Sequence, residues 1–186
     1  MRLPSRFPRR LTGAAALACA AALTPAAAIA AASAPAAAPA AGPPTCATAG
    51  LVIWMTQDDA AAGSAFFTLN FTNLSGHTCT LKGHPGVSAA SLSGHELGSP
   101  AGWAPPAAGT VTLANGATGY ALLQYSDVIT GGGGPKPCNP VTAAGLRVYP
   151  PGQSAAKTVP IPLTACTTSG LVYMNVRPLQ KTPPPS

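Results

Sequence analysis

Beyond the first thirty residues the chain carries no sustained apolar i, i+3, i+4, i+7 spacing in helix-forming residues, whereas several short stretches alternate with period two. In AFFTLNFT (65–72), Phe67, Leu69 and Phe71 share one face and Phe66, Thr68, Asn70 and Thr72 the other, the pattern of a half-buried strand. GLVIWMT (50–56) is apolar on both faces, as a central strand would be, and LVYMNV (171–176) groups Val172, Met174 and Val176. Similar short runs stand at TVTL (110–113), GYALLQY (119–125) and LRVYP (146–150). The punctuation between them is Gly, Pro, Asn and Ser. Asn115-Gly116, directly after TVTL, predicts a two-residue hairpin because both residues tolerate positive φ. About seven short strands pairing antiparallel at this spacing predict an all-β, two-sheet antiparallel sandwich, immunoglobulin-like, with a closed barrel as the alternative.

The residues outside these strands set the domain limits. Residues 1–30 have the layout of a signal peptide: basic MRLPSRFPRR, apolar LTGAAALACAAAL, and a small-x-small cleavage signal at Ala28-Ile29-Ala30. Thr24 and Pro25 interrupt the apolar run, which therefore falls short of the roughly 20 residues of a membrane span. Arg9-Arg10 lacks the bulky apolar pair expected after a twin-arginine signal, which leaves general secretion. A lipid anchor through Cys19 is the alternative location, although alanine occupies position 16, where such sites carry a leucine-type residue. Residues 31–45, AASAPAAAPAAGPPT, form an Ala/Pro-rich disordered linker, residues 46–180 the β-sandwich domain, and residues 181–186 a Pro-rich tail.

Removing the leader changes the charge. Of the net charge of +6, Arg2, Arg6, Arg9 and Arg10 account for most. What remains is Lys82, Lys136, Arg147, Lys157, Arg177 and Lys181 against Asp58, Asp59, Glu96 and Asp127. Scattered in this way, the basic residues form no phosphate-binding stripe, so no nucleic-acid partner is expected. Cys46, Cys79, Cys138 and Cys166 remain, and an even count in an exported chain points to disulfides. Three pairings are open. The favoured one joins Cys46 to Cys79 and Cys138 to Cys166, each closing a loop of about 30 residues and stabilising by roughly 3 kcal/mol.

The order FTNLSGHTCTLKGHPGVS, LGSPAG, a Leu-x-Asn-Gly-type hairpin, LRVYPPG and a late cysteine resembles the domain of unknown function 4232 family of exported actinobacterial proteins. The likeness runs from Cys46 to about Leu179. It implies a secreted or lipid-anchored, disulfide-bonded β-sandwich, with no established function and no catalytic residue to carry over. Where the family usually has tyrosine or phenylalanine before Pro85-Gly86, this chain has His84.

Candidate chemistry is sparse. His77, Cys79 and His84 fall close together, but a zinc site needs three or four ligands with cysteine as thiolate, and Cys79 is expected in a disulfide. His84 precedes Pro85-Gly86 and reads as a surface turn residue. A weaker alternative has His77, His84 and His95 binding copper or zinc without the cysteine. Asp58 and Asp59 are adjacent and read as a solvated turn, and His95 and Glu96, as strand neighbours, face opposite ways. The chain contains no Gly-x-Ser-x-Gly elbow. In GGGGPKPCNP (131–140), Lys136 is followed by Pro137, which a phosphate-binding loop opening a helix does not allow, so the stretch reads as a loop tethered at Cys138. Trp103, in SPAGWAPPAAG, either folds back over the end of the sandwich, the commoner arrangement, or contacts a sugar or peptide as an exposed platform.

These features lead to the expectation of an exported, non-enzymatic module with no cofactor, no catalytic residue and no transmembrane span once the leader is removed. Its partner would be an envelope polymer or an exported protein, with Trp103 as the candidate contact. The alternative class is a small secreted hydrolase or a histidine-dependent metal-binding protein.

Overall fold

The period-two stretches form strands, and these assemble into three sheets around one core. The computed structural model describes residues 41–126 and 138–185. The leader with Cys19, most of the Ala/Pro linker and the loop carrying Lys136 lie outside the described residues. β1 (Leu51–Ala61) and β2 (Ser64–Asn73) form a hairpin closed by Ala62-Gly63, both at positive φ. With β6 (Gly102–Trp103), β8 (Thr118–Ser126) and β11 (Met174–Val176) they make a five-stranded sheet ordered β1-β2-β8-β11-β6. A second sheet is ordered β10-β9-β4-β5, from β4 (Gly86–Ala90), β5 (Glu96–Leu97), β9 (Pro140–Tyr149) and β10 (Lys157–Cys166). β3 (Cys79–Lys82) and β7 (Thr110–Leu113) pair separately as a two-stranded sheet.

One hydrophobic cluster joins all three sheets. Leu69, Phe71, Leu123, Met174 and Val176 come from the five-stranded sheet, Val87, Ala89, Leu146 and Val148 from the four-stranded one, and Leu81, Val111 and Leu113 from the β3–β7 pair. Burying each such large side chain contributes about 1.5–3 kcal/mol, which makes this shared core the main stabilising term. The expected nearly all-β sandwich is therefore present; among the described residues its helical content is one 3-10 turn, Thr48–Gly50.

Several local expectations are corrected. GLVIWMT lies on an edge strand, not a central one, and Val52 and Trp54 on its outer face are exposed. Asp58 and Asp59 lie within β1, not in a turn, where a bulge between Gln57 and Asp59 interrupts the register. Thr68 and Asn70 are buried on the supposedly solvated face of β2, because β2 is flanked on both sides and their polar groups are used locally. The Thr68 hydroxyl donates to Asp58, and the Asn70 amide donates to the Thr68 carbonyl at 3.0 Å. Val172 precedes β11 and is exposed, while Tyr173 turns inward. The pairing is antiparallel except that β11 and β6 run parallel. Finally, Asn115-Gly116 makes a turn but not a hairpin of paired strands: β7 pairs with β3, and the turn carries the chain across to β8 in another sheet.

The two disulfides follow the short-loop pairing, Cys46–Cys79 spanning 33 residues and Cys138–Cys166 spanning 28. Beside the first lies a polar side chain whose hydrogen-bonding groups are all used. Asn73, at the end of β2, is fully buried. Its Nδ2 donates to the carbonyls of His77 at 2.8 Å and Leu113 at 3.0 Å, and its Oδ1 accepts from the Ser75 amide at 3.0 Å and hydroxyl at 2.7 Å. Both amide hydrogens and both oxygen lone pairs are thus occupied. In Asn73→Asp, nearly the same shape aims a carboxylate oxygen at two carbonyl oxygens. Urea unfolding of that variant at neutral pH is expected to show a loss of about 3 kcal/mol or more, and a loss below about 1 kcal/mol would contradict the latch.

Candidate functional site

The strand held by this latch leads directly to the residue that the sequence left unexplained. After β3, Gly83 takes a φ of 122°, a conformation that side-chain-bearing residues rarely adopt, and its carbonyl accepts from the Leu179 amide at 3.0 Å. The chain thereby turns and sets His84 beside β6. β6 is fixed independently: the Ala101 amide donates to Val87 at 2.8 Å and the Ala104 amide to Val176 at 2.9 Å. A Cβ on Gly102 would sit 2.8 Å from Asn175 Oδ1, so a side chain there would have to displace the end of Asn175.

Trp103 follows and is 72% exposed. The His84 ring stacks on the indole with centroids 5.2 Å apart and planes 8° from parallel. His84 Nε2 lies 2.9 Å from the Ala104 carbonyl, and since a carbonyl only accepts, Nε2 carries the proton. The imidazole covers one face of the indole and leaves the other to solvent. Next to it Gly86, Val87, Pro100 and Ala101 border an open apolar depression of about 520 Å³ with Trp103 on its rim. Val172, half exposed, lies against Gly102. The expectation that Trp103 folds back over the end of the sandwich is thus overturned. It stands outward because its strand is an edge strand and its one stacking partner takes a single face.

The other candidates are not brought together. His77, His95 and Glu96 are exposed, and among the described residues no three His, Cys, Asp or Glu side chains converge on a metal-sized site. Asp58 and Asp59 are exposed, with Asp58 accepting from Thr56 and Thr68 and Asp59 Oδ1 from the Ala60 amide at 2.7 Å. Cys79 and Cys46 are buried and disulfide-bonded, so the spacing of His77, Cys79 and His84 reflects the latch and the turn that follows it. Cys138 and Cys166 are likewise bonded, the first just before β9 and the second at the end of β10. The loop expectation for GGGGPKP lies outside the described residues.

The model of the domain of unknown function 4232 matches residues 46–180, most of the chain and all of the sandwich. The chain belongs to this family. No curated protein and no solved structure matches it. For a member of the domain of unknown function 4232 family, His84 now has a physical account. Its planar ring stacks on Trp103 and its Nε2 donates a hydrogen bond to the Ala104 carbonyl. Sequence reasoning missed the pair because the two residues are far apart along the chain and no periodicity links them. The one available signal was a histidine before Pro85-Gly86, where the resemblance implies tyrosine or phenylalanine.

Tyr173 is a further residue that the sequence did not single out. It is buried, packs edge-on against Tyr125 with ring centroids 5.8 Å apart, and among the described residues carries the one buried side-chain polar atom without a hydrogen-bond partner. Burial pushes its phenol up to about 12; the neighbouring Cys166 backbone lowers it slightly without a formed hydrogen bond, and Tyr125 raises it. The unfolded phenol titrates near 10, so the folded state loses stability as pH rises from there through about 12. Tyr173→Phe removes the unpaired hydroxyl and this alkaline dependence, with stability at neutral pH unchanged or raised by about 1 kcal/mol in thermal melts. A loss of more than about 1 kcal/mol would mean that the hydroxyl has a partner. For the exposed site, emission of Trp103 in a Trp54→Phe background should become more accessible to acrylamide in His84→Ala and stay unchanged in His84→Phe. Equal quenching in all three proteins would rule out the stack.

Proposed function

We propose that the chain is an exported, non-catalytic recognition module that holds a carbohydrate polymer of the cell envelope against Trp103. The observation that carries this reading is the indole itself: one face braced by His84, the other open, above an apolar depression on a rigid sheet edge. A flat aromatic surface with a wet rim suits the apolar face of a sugar ring, and holding it rigid in advance lowers the entropy lost on binding. Addition of a peptide strand is less well supported, because the backbone around β6 is already engaged by Val87, Val176 and His84.

Export is supported by the leader-like N-terminus and by the two disulfides, which persist in oxidising compartments. Among the described residues no helix is long and apolar enough to cross a membrane. The Pro-rich linker would let the sandwich act at a distance from any attachment, including a lipid on Cys19. The few acids and histidines are dispersed over the fold, which favours binding over hydrolysis.

The test is retention of the oxidised protein on envelope polysaccharides of the producing cell, measured beside a Trp103→Ala variant. Removing the exposed indole is expected to weaken binding about tenfold or more while leaving the melting temperature nearly unchanged. Equal retention of the two proteins, or turnover of a substrate that a single side-chain change abolishes, would overturn the reading.

A further inference from the structure

The two sheets are tied together at one end of their facing edges and parted at the other. β1 and β10 are the facing edge strands. At Leu51 and Lys157 they are joined, the Lys157 ammonium donating to the Leu51 carbonyl, and the Thr48 hydroxyl adds a bond to Ala155 at 3.1 Å. Farther along, each strand carries an irregularity. β1 shifts register between Gln57 and Asp59, and β10 between Pro160 and Leu163, where Ile161 and Pro162 have no partner on β9. Bulges bend a strand out of its sheet, and two of them at neighbouring positions on facing edges part those edges.

The result is a slot between the sheets of about 230 Å³. Phe67, Leu123, Leu146 and Met174 line it inside, and Met55 and Ile161 flank it. Met55, Phe67, Ile161 and Leu163 all pack against the core yet remain only partly buried, so the interior is left unfilled here. For comparison, an engineered apolar cavity of about 150 Å³ takes up benzene. The slot shares Ala65, Tyr125 and Thr164 with an open trough along Ala60–Ser64, which makes the combined space long and narrow. Its polar groups are at the rim: the exposed Gln57 amide, and Tyr125, whose hydroxyl donates to the Thr164 carbonyl at 2.7 Å. No Lys, Arg or His is among the described residues that line the slot or the trough, so a buried anionic head would find no cation to pair with.

We propose that this slot binds a medium-length acyl chain bearing an uncharged, hydrogen-bonding head, with the tail between the sheets and the head at Gln57. The site is separate from Trp103, which stands on the opposite edge of the five-stranded sheet, and does not depend on the role given to it.

Two of the three methionines of the chain, Met55 and Met174, line the slot, so methyl-labelled methionine NMR reports on it directly. Titration of the oxidised protein with monodecanoylglycerol, below its aggregation concentration, is expected to shift both methyl signals saturably. Decanoate, with a similar chain and a charged head, should bind more weakly. Ile161→Trp, which places bulk at the mouth on a bulge free of strand pairing, is expected to weaken the response about tenfold or more. Ala65→Leu, which fills the shared wall, should do the same, so that misfolding of one variant leaves the other to decide. Sedimentation with neutral phospholipid vesicles distinguishes the source: co-sedimentation lost in the filled variants identifies membrane lipid tails, and its absence beside a methyl response identifies free single-chain amphiphiles. Unmoved methyl signals, or shifts that persist in a folded filled variant, would overturn the proposal.

Discussion

The geometry of the aromatic site depends on one buried amide. Asn73 ends the interior strand β2, and its four hydrogen bonds join that strand to the loop through Ser75 and His77 and to β7 at Leu113. Leaving the buried Asn73 amide unpaired would cost about 1–3 kcal/mol, which favours this arrangement of the loop. The Cys46–Cys79 bridge and the bond from the Cys46 amide to Thr80 at 2.9 Å then hold the N-terminal segment against β3. With β3 fixed, the left-handed turn at Gly83 has one outcome, His84 set against Trp103. The stretch FTNLSGHTCTLKGHPGV, which as sequence looks like a cluster of soft ligands, is thus the device that couples core packing to the exposed aromatic site.

The free edges of the sheets show what that rigid interior makes possible. β6 is only two residues long and its neighbouring backbone groups are already bonded, so it offers a side chain and little open backbone. β1 and β10 are long but bulged, and β10 carries Pro160 and Pro162, which cannot donate to an added strand. Both solutions limit edge-to-edge association, and each leaves a feature able to meet a ligand: an indole face on one side, an apolar slot on the other.

Much of the strand content was legible because period two marks a sheet with one buried face. TVTL coincides with β7, and AFFTLNFT and GYALLQY lie within β2 and β8. The disulfide pairing was legible from loop length. β10 was not, because two prolines in KTVPIPLTAC argue against a strand until it is known to be an edge, even though Val159, Ile161, Leu163 and Ala165 alternate. GLVIWMT failed in the opposite way: apolar residues on both faces signify a central strand only when both faces are covered, and Val52 and Trp54 are not. At the site, Trp103 was legible as a candidate, but its partner was not. The stacking of His84 follows from a turn and a cross-sheet contact, neither of which local pattern encodes.

The proposed role, holding a ligand without transforming it, rests on the braced aromatic face of a disulfide-bonded sandwich. The most direct measurement is chemical-shift mapping of the labelled, oxidised protein with a soluble fragment of an envelope polysaccharide. The account predicts perturbations centred on the Trp103 indole, the His84 ring and the backbone of Gly86 and Ala101. Perturbations absent there and gathered instead at His77, His95 or Asp58 and Asp59 would contradict it.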